Sequence, residues 1–369
     1  MSSESVLHNA LAKCLEKKLT FAAFRIPGKP VQLWAQRNPG LETVDGTMLL
    51  GLNQVFLVAP FDIPGGAVPF IRADIELTFA EIDPDITRLG ECAGTHDAAI
   101  AGPMATPKAD FIAAVEAAKR ACQAKELNKV VLSRVLEAPL QTERLPMLFI
   151  QAAAVHEQAF VAMAFTPEHG LWLGASPERL VQEELDHVRV DAIAATRPAD
   201  AVPERLSGWG PKELDEQEQV MTHVHATFAR MDLRNITVRG PEVMKAGPVA
   251  HLHTVLEADL GDCLLGELVL ALHPTPAVCG APTDAARTFI QKHERHQRAL
   301  YTGFWGPWNA DGPTELFVNL RCLRAGDGRA QLFTGAGITA GSDAEMEWAE
   351  TERKAQTWLH LLQAPAVAP

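Results

Sequence analysis

The sequence predicts an α+β protein in which large antiparallel β-sheets are flanked by helices. Strand-like and helix-like segments are interspersed along the 369 residues without the strict βαβ alternation of a parallel sheet. Between residues 20 and 60, short strand-like segments are separated by Pro and Gly. No linker, low-complexity tract or internal repeat divides the chain. We therefore predict a single domain over residues 1–369.

The predicted elements begin with an amphipathic helical pattern at the N-terminus, MSSESVLHNALAKCLEKK. Residues 62–107 are rich in Asp, Pro, Gly and Ala and show little regular periodicity, and a helix is predicted next over residues 108–125. In the rest of the chain we predict strands in KVVLSRVLEA, AFVAMAFT, GLWLGAS, HVRVDAIAAT, YTGFWGPW, TELFVNLRCL and AQLFTGAGI. The predicted helices there are PMLFIQAAAVH and residues 213–230, 283–298 and 343–362.

Composition and charge exclude several functional classes. A hydrophobic content of 47% with 21% charged residues is ordinary for a soluble globular protein. The net charge of −13, with no basic run to offset it, argues against non-specific binding to nucleic acid or to an anionic membrane. The sequence shows no membrane-spanning apolar stretch and no signal peptide. Six scattered cysteines without a C-x-x-C motif indicate free thiols in a reducing compartment, so we predict a cytoplasmic protein.

Two acidic helical segments are candidate sources of metal ligands. Glu213 and Glu216 lie in PKELDEQEQV, and Glu347 and Glu350 lie in EMEWAETERK. Residues three apart share one face of a helix, so each segment directs two carboxylates the same way. Bringing the two faces together is costly unless a cation lies between them, and Mg²⁺ favours such oxygen ligands. The alternative is that both segments are solvated helix faces.

Lys129 and Glu178 are candidates for an acid–base pair. Lys129 begins the strand in KVVLSR; a lysine there is often a surface residue, but a buried amine is a usable base because desolvation favours its neutral form. Glu178 follows a Gly-Ala-Ser-Pro turn in GASPERL. This pattern is common at the start of a helix, but a glutamate held against a substrate hydroxyl is also a possible general acid.

Two further motifs indicate rigid backbone near a ligand. HPTPAVCG, which contains Thr275 and Gly280, predicts a rigid turn, and FTGAGI places Gly335 and Gly337 where the backbone can approach a carboxylate. His251 and His253 alternate along a strand-like segment and do not have zinc-site spacing. The sequence has no P-loop motif and no G-x-S-x-G motif, which argues against nucleotide hydrolysis and serine-hydrolase chemistry.

Taken together and in this order, eight segments resemble the chorismate-utilising enzymes, and most closely the isochorismate synthases. The segments are KVVLSR, LGASPERL, IAATRP, the KELDEQE helix, HPTPAVCG, NLRCL, LFTGAGI and EWAETERK. The resemblance covers about residues 108–362, and the first hundred residues contain no matching motif. It implies a single large domain of helices and sheets and a magnesium-dependent reaction on chorismate.

The resemblance also implies roles for individual residues. Lys129 is similar to the base that activates water for attack at ring carbon C2, and Glu178 to the acid that assists loss of the C4 hydroxyl. Glu216 and Glu350 resemble the direct Mg²⁺ ligands, and their partners on the same helices resemble an outer shell. That outer shell is Glu213 and Glu347. The residues similar to substrate-binding groups are Ala195, Thr196, His273, Thr275, Ala277, Arg321, Gly335, Gly337 and Lys354.

Three departures from the family pattern affect the predicted site. Ala194-Ala195-Thr196 stands where the family usually has Ala-Gly-Thr or Ala-Gly-Ser, so a methyl group replaces a hydrogen. Gln217 follows Glu216 where a histidine is commoner, and RPAD replaces the more frequent Arg-Pro-Arg-Gly. These changes put substrate fit and turnover in question, although all four central residues are present.

Within the family, Lys129 favours water as the nucleophile. The aminating members, such as anthranilate synthase, lack that lysine and depend on a glutaminase partner, and aminodeoxychorismate synthases tend to have lysine at the position of Ala194. Isochorismate synthase is therefore the first prediction, acting as a monomer without a glutaminase subunit and supplying menaquinone or a catechol siderophore. Salicylate synthase, which adds pyruvate elimination, is the second, although HPTPA favours the first. A chorismate-binding protein that has lost turnover is a third alternative.

Overall fold

The computed structural model shows two antiparallel β-sheets with helices on their outer faces. The described residues are 3–95, 102, 104–203, 205–246, 249–309 and 312–364, without the side chains of residues 196, 212 and 246. Within them the helices are α1 (Ser3–Glu16), α2 (Lys108–Gln123), α3 (Leu145–Val155), α4 (Pro211–Arg230), α5 (Leu265–Leu272), α6 (Thr283–His293) and α7 (Ala344–Gln363).

The first half of the chain contributes strands to both sheets. The strands up to residue 176 are β1 (Phe21–Arg25), β2 (Val31–Ala35), β3 (Glu42–Asp45), β4 (Val55–Ala59), β5 (Ala67–Arg72), β6 (Ile75–Phe79), β7 (Lys129–Pro139), β8 (Phe160–Thr166) and β9 (Gly170–Ser176). The later strands are β10 (Arg179–Glu184), β11 (His187–Pro198), β12 (Arg234–Ala246), β13 (Val249–Asp259), β14 (Gly280–Ala281), β15 (Phe304–Trp308), β16 (Thr314–Val318), β17 (Cys322–Gly326) and β18 (Arg329–Ile338).

Each sheet has nine strands among the described residues. The order in the first sheet is β14-β7-β18-β17-β9-β8-β1-β2-β6, and in the second β12-β13-β11-β10-β16-β15-β4-β5-β3. Strand pairs in both sheets are antiparallel, as between β7 and β18 and between β11 and β13. The predicted fold class, antiparallel sheets flanked by helices, is confirmed. The extent of the single domain stays a prediction.

The core has layers because each sheet buries both of its faces. Between the sheets lies an aromatic cluster with residues from both, including Phe24, Phe56, Phe160 and Phe317. Phe160 of the first sheet and Phe317 of the second stack with ring centroids 4.2 Å apart. Helices α1, α3 and α7 pack on the first sheet, and α4 and α5 pack on the second. Helix α4 therefore packs mainly on β11, and helix α7 on β18.

Most predicted elements are present, and the differences have local causes. The segment TELFVNLRCL does not form one strand: it supplies β16 to the second sheet and β17 to the first. Arg321, between them, has the positive φ of 46°, so the backbone turns there from one sheet to the other. Helix α6 ends at His293, short of the predicted residue 298. Residues 62–107, which lacked periodicity, contain β5 and β6.

Among the described residues, we find no helix whose length and apolar character would let it cross a membrane.

Candidate functional site

Most of the site residues predicted from the sequence line one cavity between the two sheets. They come from distant segments of both sheets and from α4 and α7. They are Lys129, Glu178, Ala194, Ala195, Glu216, Ala277, Arg321, Gly335, Gly337, Glu350 and Lys354. The fold therefore brings together charges of both signs in a largely buried space.

Lys129 lies at the start of β7 and is buried, so the surface-lysine alternative is wrong. Its Nζ atom lies 3.5 Å from Oε2 of Glu216. Gly337, on the adjacent strand β18, makes room for this side chain: a Cβ atom at residue 337 would lie 2.7 Å from Cε of Lys129. The second glycine of FTGAGI thus allows the lysine to reach the cavity.

Glu178 lies in the turn between β9 and β10 and not at the start of a helix. Its backbone is fixed by the Glu178 N–H, which donates to Ser176 Oγ at 3.2 Å, and by its carbonyl, which accepts from Val318 N at 3.0 Å. Burial, and then the negative charge of Asp191, raise the pKa of Glu178 to about 8. The carboxyl group is therefore mostly protonated at neutral pH and can donate a proton.

Glu216 on α4 and Glu350 on α7 line the same cavity, so the structure brings the two acidic segments together there. Each of the two carboxylates has a lysine neighbour. Glu350 Oε1 lies 2.7 Å from Nζ of Lys354, whose amine also donates to the Gly335 carbonyl at 2.9 Å. The carbonyl of Gly335, rather than its N–H, therefore contacts a cationic side chain.

The two predicted outer-shell glutamates have different environments. Glu213 accepts from Nε of Arg197 at 2.8 Å and does not line the cavity. Glu347 is buried, with 3% of its surface exposed, and also lies outside the cavity lining. The outer-shell roles of both residues stay predictions.

The oxygen donors fit a magnesium ion. Within the described ranges, no cluster of three or more His, Cys, Asp or Glu residues is arranged to hold a metal. Mg²⁺ often uses only one or two protein carboxylates and completes its coordination with water and substrate. Glu216 and Glu350 on the cavity wall provide such a pair. Their roles as ligands stay a proposal.

His251 lines the cavity although it was not among the residues predicted to bind substrate or metal. Its Nδ1 lies 3.1 Å from the Ala195 carbonyl oxygen, which can only accept, so Nδ1 carries the proton. Its Nε2 is then an acceptor for Nη2 of Arg321 at 3.2 Å. Burial, with the charges of Arg321 and Lys354, holds the pKa of His251 well below its usual range. This neutral ring orients the guanidinium of Arg321.

Two predicted substrate contacts, His273 and Thr275, do not line the cavity, and the side chain of a third is not described. His273 is turned to the Phe61 carbonyl, with Nε2 2.9 Å from its oxygen, and burial lowers the pKa of this ring to about 4. Thr275 is buried in the HPTPAVCG turn, where its carbonyl accepts from Val278 N and Cys279 N. The side chain of Thr196 lies outside the described residues, and its backbone pairs with His251 between β11 and β13.

Two more cavity residues were missed by sequence reasoning. Tyr301, the only tyrosine of the chain, is buried, and a Cβ atom at residue 335 would lie 2.8 Å from its hydroxyl oxygen. Thr334 also lines the cavity, and its buried hydroxyl has no hydrogen-bond partner within the described part of the chain. Thr334 immediately precedes Gly335, so the FTGAGI motif was a usable signal for it.

The structure also places the departures from the family pattern. Ala195 has φ of 53° at an irregular point in the pairing of β11 with β13, a backbone conformation that favours glycine. Gln217 is buried on α4 and donates through Nε2 to the Ala192 carbonyl at 2.9 Å and to Thr254 Oγ1 at 2.8 Å. Gln217 therefore holds α4 against the second sheet.

Comparison with known families and proteins identifies similar molecules. A family model for chorismate binding enzymes matches residues 75–363, which is most of the chain. The vibriobactin-specific isochorismate synthase of Vibrio cholerae is 33% identical over 243 residues, covering 63% of this chain and 61% of that protein. An isochorismate synthase of Bacillus subtilis is 36% identical over 255 residues, covering 64% and 63%. The chain thus spans about three fifths of the length of these curated relatives.

A solved structure from Bacillus anthracis, assigned as a 2,3-dihydroxybenzoate-specific isochorismate synthase, matches over nearly the whole fold. The TM-score is 0.77 at 25% identity, with 95% of this chain and 99% of that chain covered.

Proposed function

The chain belongs to the chorismate binding enzyme family, and we propose that it is an isochorismate synthase. In this reaction water adds at ring carbon C2 of chorismate as the C4 hydroxyl group leaves, giving isochorismate. The observation that supports the proposal best is that Lys129 and a protonated Glu178 line one cavity. A base and an acid in a single site are what a coupled addition and elimination of water requires.

The proposed proton transfers balance. The Lys129 amine takes a proton from the attacking water, and the Glu178 carboxyl gives a proton to the departing C4 oxygen, which leaves as water. Burial favours the starting form of Glu178, since a desolvated carboxyl resists ionisation. Each forward turnover leaves Lys129 protonated and Glu178 ionised, and the starting forms return when Lys129 loses a proton to solvent and Glu178 takes one up.

Substrate binding is assigned to the cationic side chains of the same cavity. Chorismate has two carboxylates, and Arg321 and Lys354 supply two positive charges on the cavity wall. His251 fixes the orientation of Arg321, and the Trp358 indole N–H of α7 donates to the Arg321 carbonyl. The carboxylate-binding arginine is thereby held from both its backbone and its side chain.

A Mg²⁺ ion is proposed to bind Glu216 and Glu350. Glu216 and Glu350 would hold the ion, which would supply positive charge for a substrate carboxylate. Lys129 and Lys354 occupy these carboxylates in the structure, so the charge of the pair is already balanced by protein cations.

The test is to incubate the purified protein with chorismate and Mg²⁺ and to follow the products by NMR. A mixture of chorismate and isochorismate is expected, and the same mixture should form from isochorismate. The matched control is Lys129→Ala, which should not form the mixture at a comparable rate. Stoichiometric pyruvate with salicylate would instead identify a salicylate synthase. Binding of chorismate without any product would identify the third alternative, a protein that has lost turnover.

A further inference from the structure

Next to the turn that contains Glu178, the structure contains a second cavity of about 830 Å³, lined by Pro177 and Arg179 among others. It shares Pro177 and Arg321 with the first cavity, so this turn lies between the two cavities. Asp191 of β11 lies on the wall of the second cavity, and its side chain is only 8% exposed. Asp191 pairs with Arg179, the residue after Glu178, so a buried carboxylate contacts the chain directly beside the proposed general acid.

Three side chains hold Asp191 from different directions. Arg179, the residue after Glu178, approaches Asp191 Oδ2 at 3.3 Å through Nη1. Arg189 and His253 approach Asp191 Oδ1, at 3.3 Å through Nη2 and at 3.0 Å through Nε2. Burial by itself raises the pKa of Asp191, but the His253 hydrogen bond and the two arginine charges outweigh it and leave the pKa below its ordinary value. Asp191 is therefore a fixed negative charge.

The charges that act on Glu178 come from several elements. Lys129 of β7, Lys354 of α7 and Arg321 between β16 and β17 all favour the ionised carboxylate of Glu178. Asp191 of β11 acts in the opposite sense. The two other carboxylates on the first cavity wall, Glu216 and Glu350, are each next to a lysine. Lys354 and Arg321 thus oppose the proton that the proposed mechanism needs on Glu178, and Lys129 does so only when it is itself protonated.

We propose that Asp191 is a positioning residue that keeps Glu178 in its proton-donating form. The inference rests on the proposed function, because it matters only if Glu178 is the general acid. Arg179 links the two residues through the chain and is also bound by Glu315, at 3.0 Å to Oε2 through Nη2. Glu315 offsets the charge of Arg179, so the arginine can hold Asp191 without cancelling its effect. Glu178 then depends for its role as general acid on a supporting cluster, which consists of Arg179, Arg189, Asp191, His253 and Glu315.

The test is the pH dependence of kcat for isochorismate formation by the full-length protein with saturating Mg²⁺. Glu178 must be protonated, so activity falls as pH rises through the pKa of this group. In Asp191→Asn, which keeps the shape but removes the charge, the alkaline limb should move down by about one pH unit. In Asp191→Glu, which restores the charge, the limb should return toward that of the wild type.

If Asp191→Asn does not fold, a second variant, for which the alkaline limb should shift in the opposite direction, still tests the proposal. Arg189 is partly exposed, and Arg189→Gln removes one cation from Asp191, so the limb should move to higher pH. An infrared band of the protonated carboxyl, assigned by its loss in Glu178→Gln, follows the same titration without turnover. One outcome is that the wild type forms isochorismate while the variants shift neither the alkaline limb of the kcat profile nor the titration of the Glu178 infrared band. That result would contradict the proposed role of Asp191. If the wild type forms none at any pH, the proposed function itself fails.

Discussion

Helices α4 and α7 both direct a Glu-x-x-Glu turn towards the protein interior, yet they hold these glutamates in different ways. On α4, Glu213 and Glu216 take their cationic partners from other elements, Arg197 of β11 and Lys129 of β7. On α7, Glu350 takes Lys354 from the next turn of its own helix. With the same spacing, the charge of Glu216 is therefore balanced by a lysine from another element, and the charge of Glu350 by a lysine of its own helix.

The two helices are also anchored differently. Arg134 of β7 stacks 3.6 Å from the ring centre of Trp348, donates to Thr351 Oγ1 at 2.7 Å and forms an ion pair with Glu352, all on α7. Helix α4 is held on the second sheet by the Gln217 amide, by the Glu213–Arg197 ion pair and by buried apolar residues that include Val220, Val224 and Phe228. We infer that a polar cluster around one arginine positions α7, whereas apolar packing contributes more to the position of α4.

The largest expected effect is a difference in kinetics between variants of the two lysines that pair with these glutamates. Lys129→Ala removes the proposed base, and kcat should fall by about 10² to 10⁴. Lys354→Ala removes a proposed carboxylate contact, so its main effect should be a higher KM. Steady-state kinetics give kcat and KM for the two variants, and unfolding curves serve as a control that both variants are folded. A Lys129→Ala enzyme with near-normal kcat would contradict the assignment of the base.

A second comparison concerns the metal. Glu216→Gln and Glu350→Gln should each weaken Mg²⁺ activation by more than about tenfold, since each removes a full ligand charge. The matched control is Glu213→Gln on α4, which lies outside the cavity and pairs with Arg197, and its effect should be smaller. Titration of activity with Mg²⁺ after chelation checks this. Equal dependence in all three variants would remove the proposed metal site.

The anchors give the third expected effect. Arg134→Gln should lower the free energy of unfolding by about 2 kcal/mol, because it removes a stacked cation and two polar contacts. Gln217→Leu, which removes the amide contacts of α4 with the second sheet, should cost about 1 kcal/mol. Urea unfolding, with the m value unchanged between variants, measures both losses of stability. A larger loss for Gln217→Leu than for Arg134→Gln would show that the Gln217 amide, and not apolar packing, contributes most to the position of α4.

The smallest expected effect lies in β11, which leads into α4. Ala195→Gly removes the strain of φ 53° but increases the freedom of the unfolded chain, so stability should change by less than about 1 kcal/mol. Because the change also removes a methyl group from the cavity wall, KM for chorismate is the more informative measurement. A loss of several kcal/mol would show that the Ala195 methyl group is essential to packing.

The pattern of the sequence predicted much of this structure. Alternating apolar segments predicted strands such as β7, β8 and β18, and helical periodicity predicted α2, α4 and α7 close to their observed bounds. Helical spacing, local motifs and the order of those motifs identified Lys129, Glu178, Glu216 and Glu350, and all four line one cavity. These features were accessible because they depend on local periodicity or on residues that recur in a fixed order.

Tertiary structure alone decided which partners these residues meet. The sequence did not show that Glu213 pairs with Arg197, that His251 links Ala195 to Arg321, or that Asp191 pairs with Arg179, the residue after Glu178. It also did not show that residues 314–323 divide between two sheets, because the division depends on the backbone turn at Arg321. A sequence pattern fixes which face of a helix or strand a residue occupies. Burial, charge and hydrogen-bond partners depend on the segments, distant in sequence, that pack against that face.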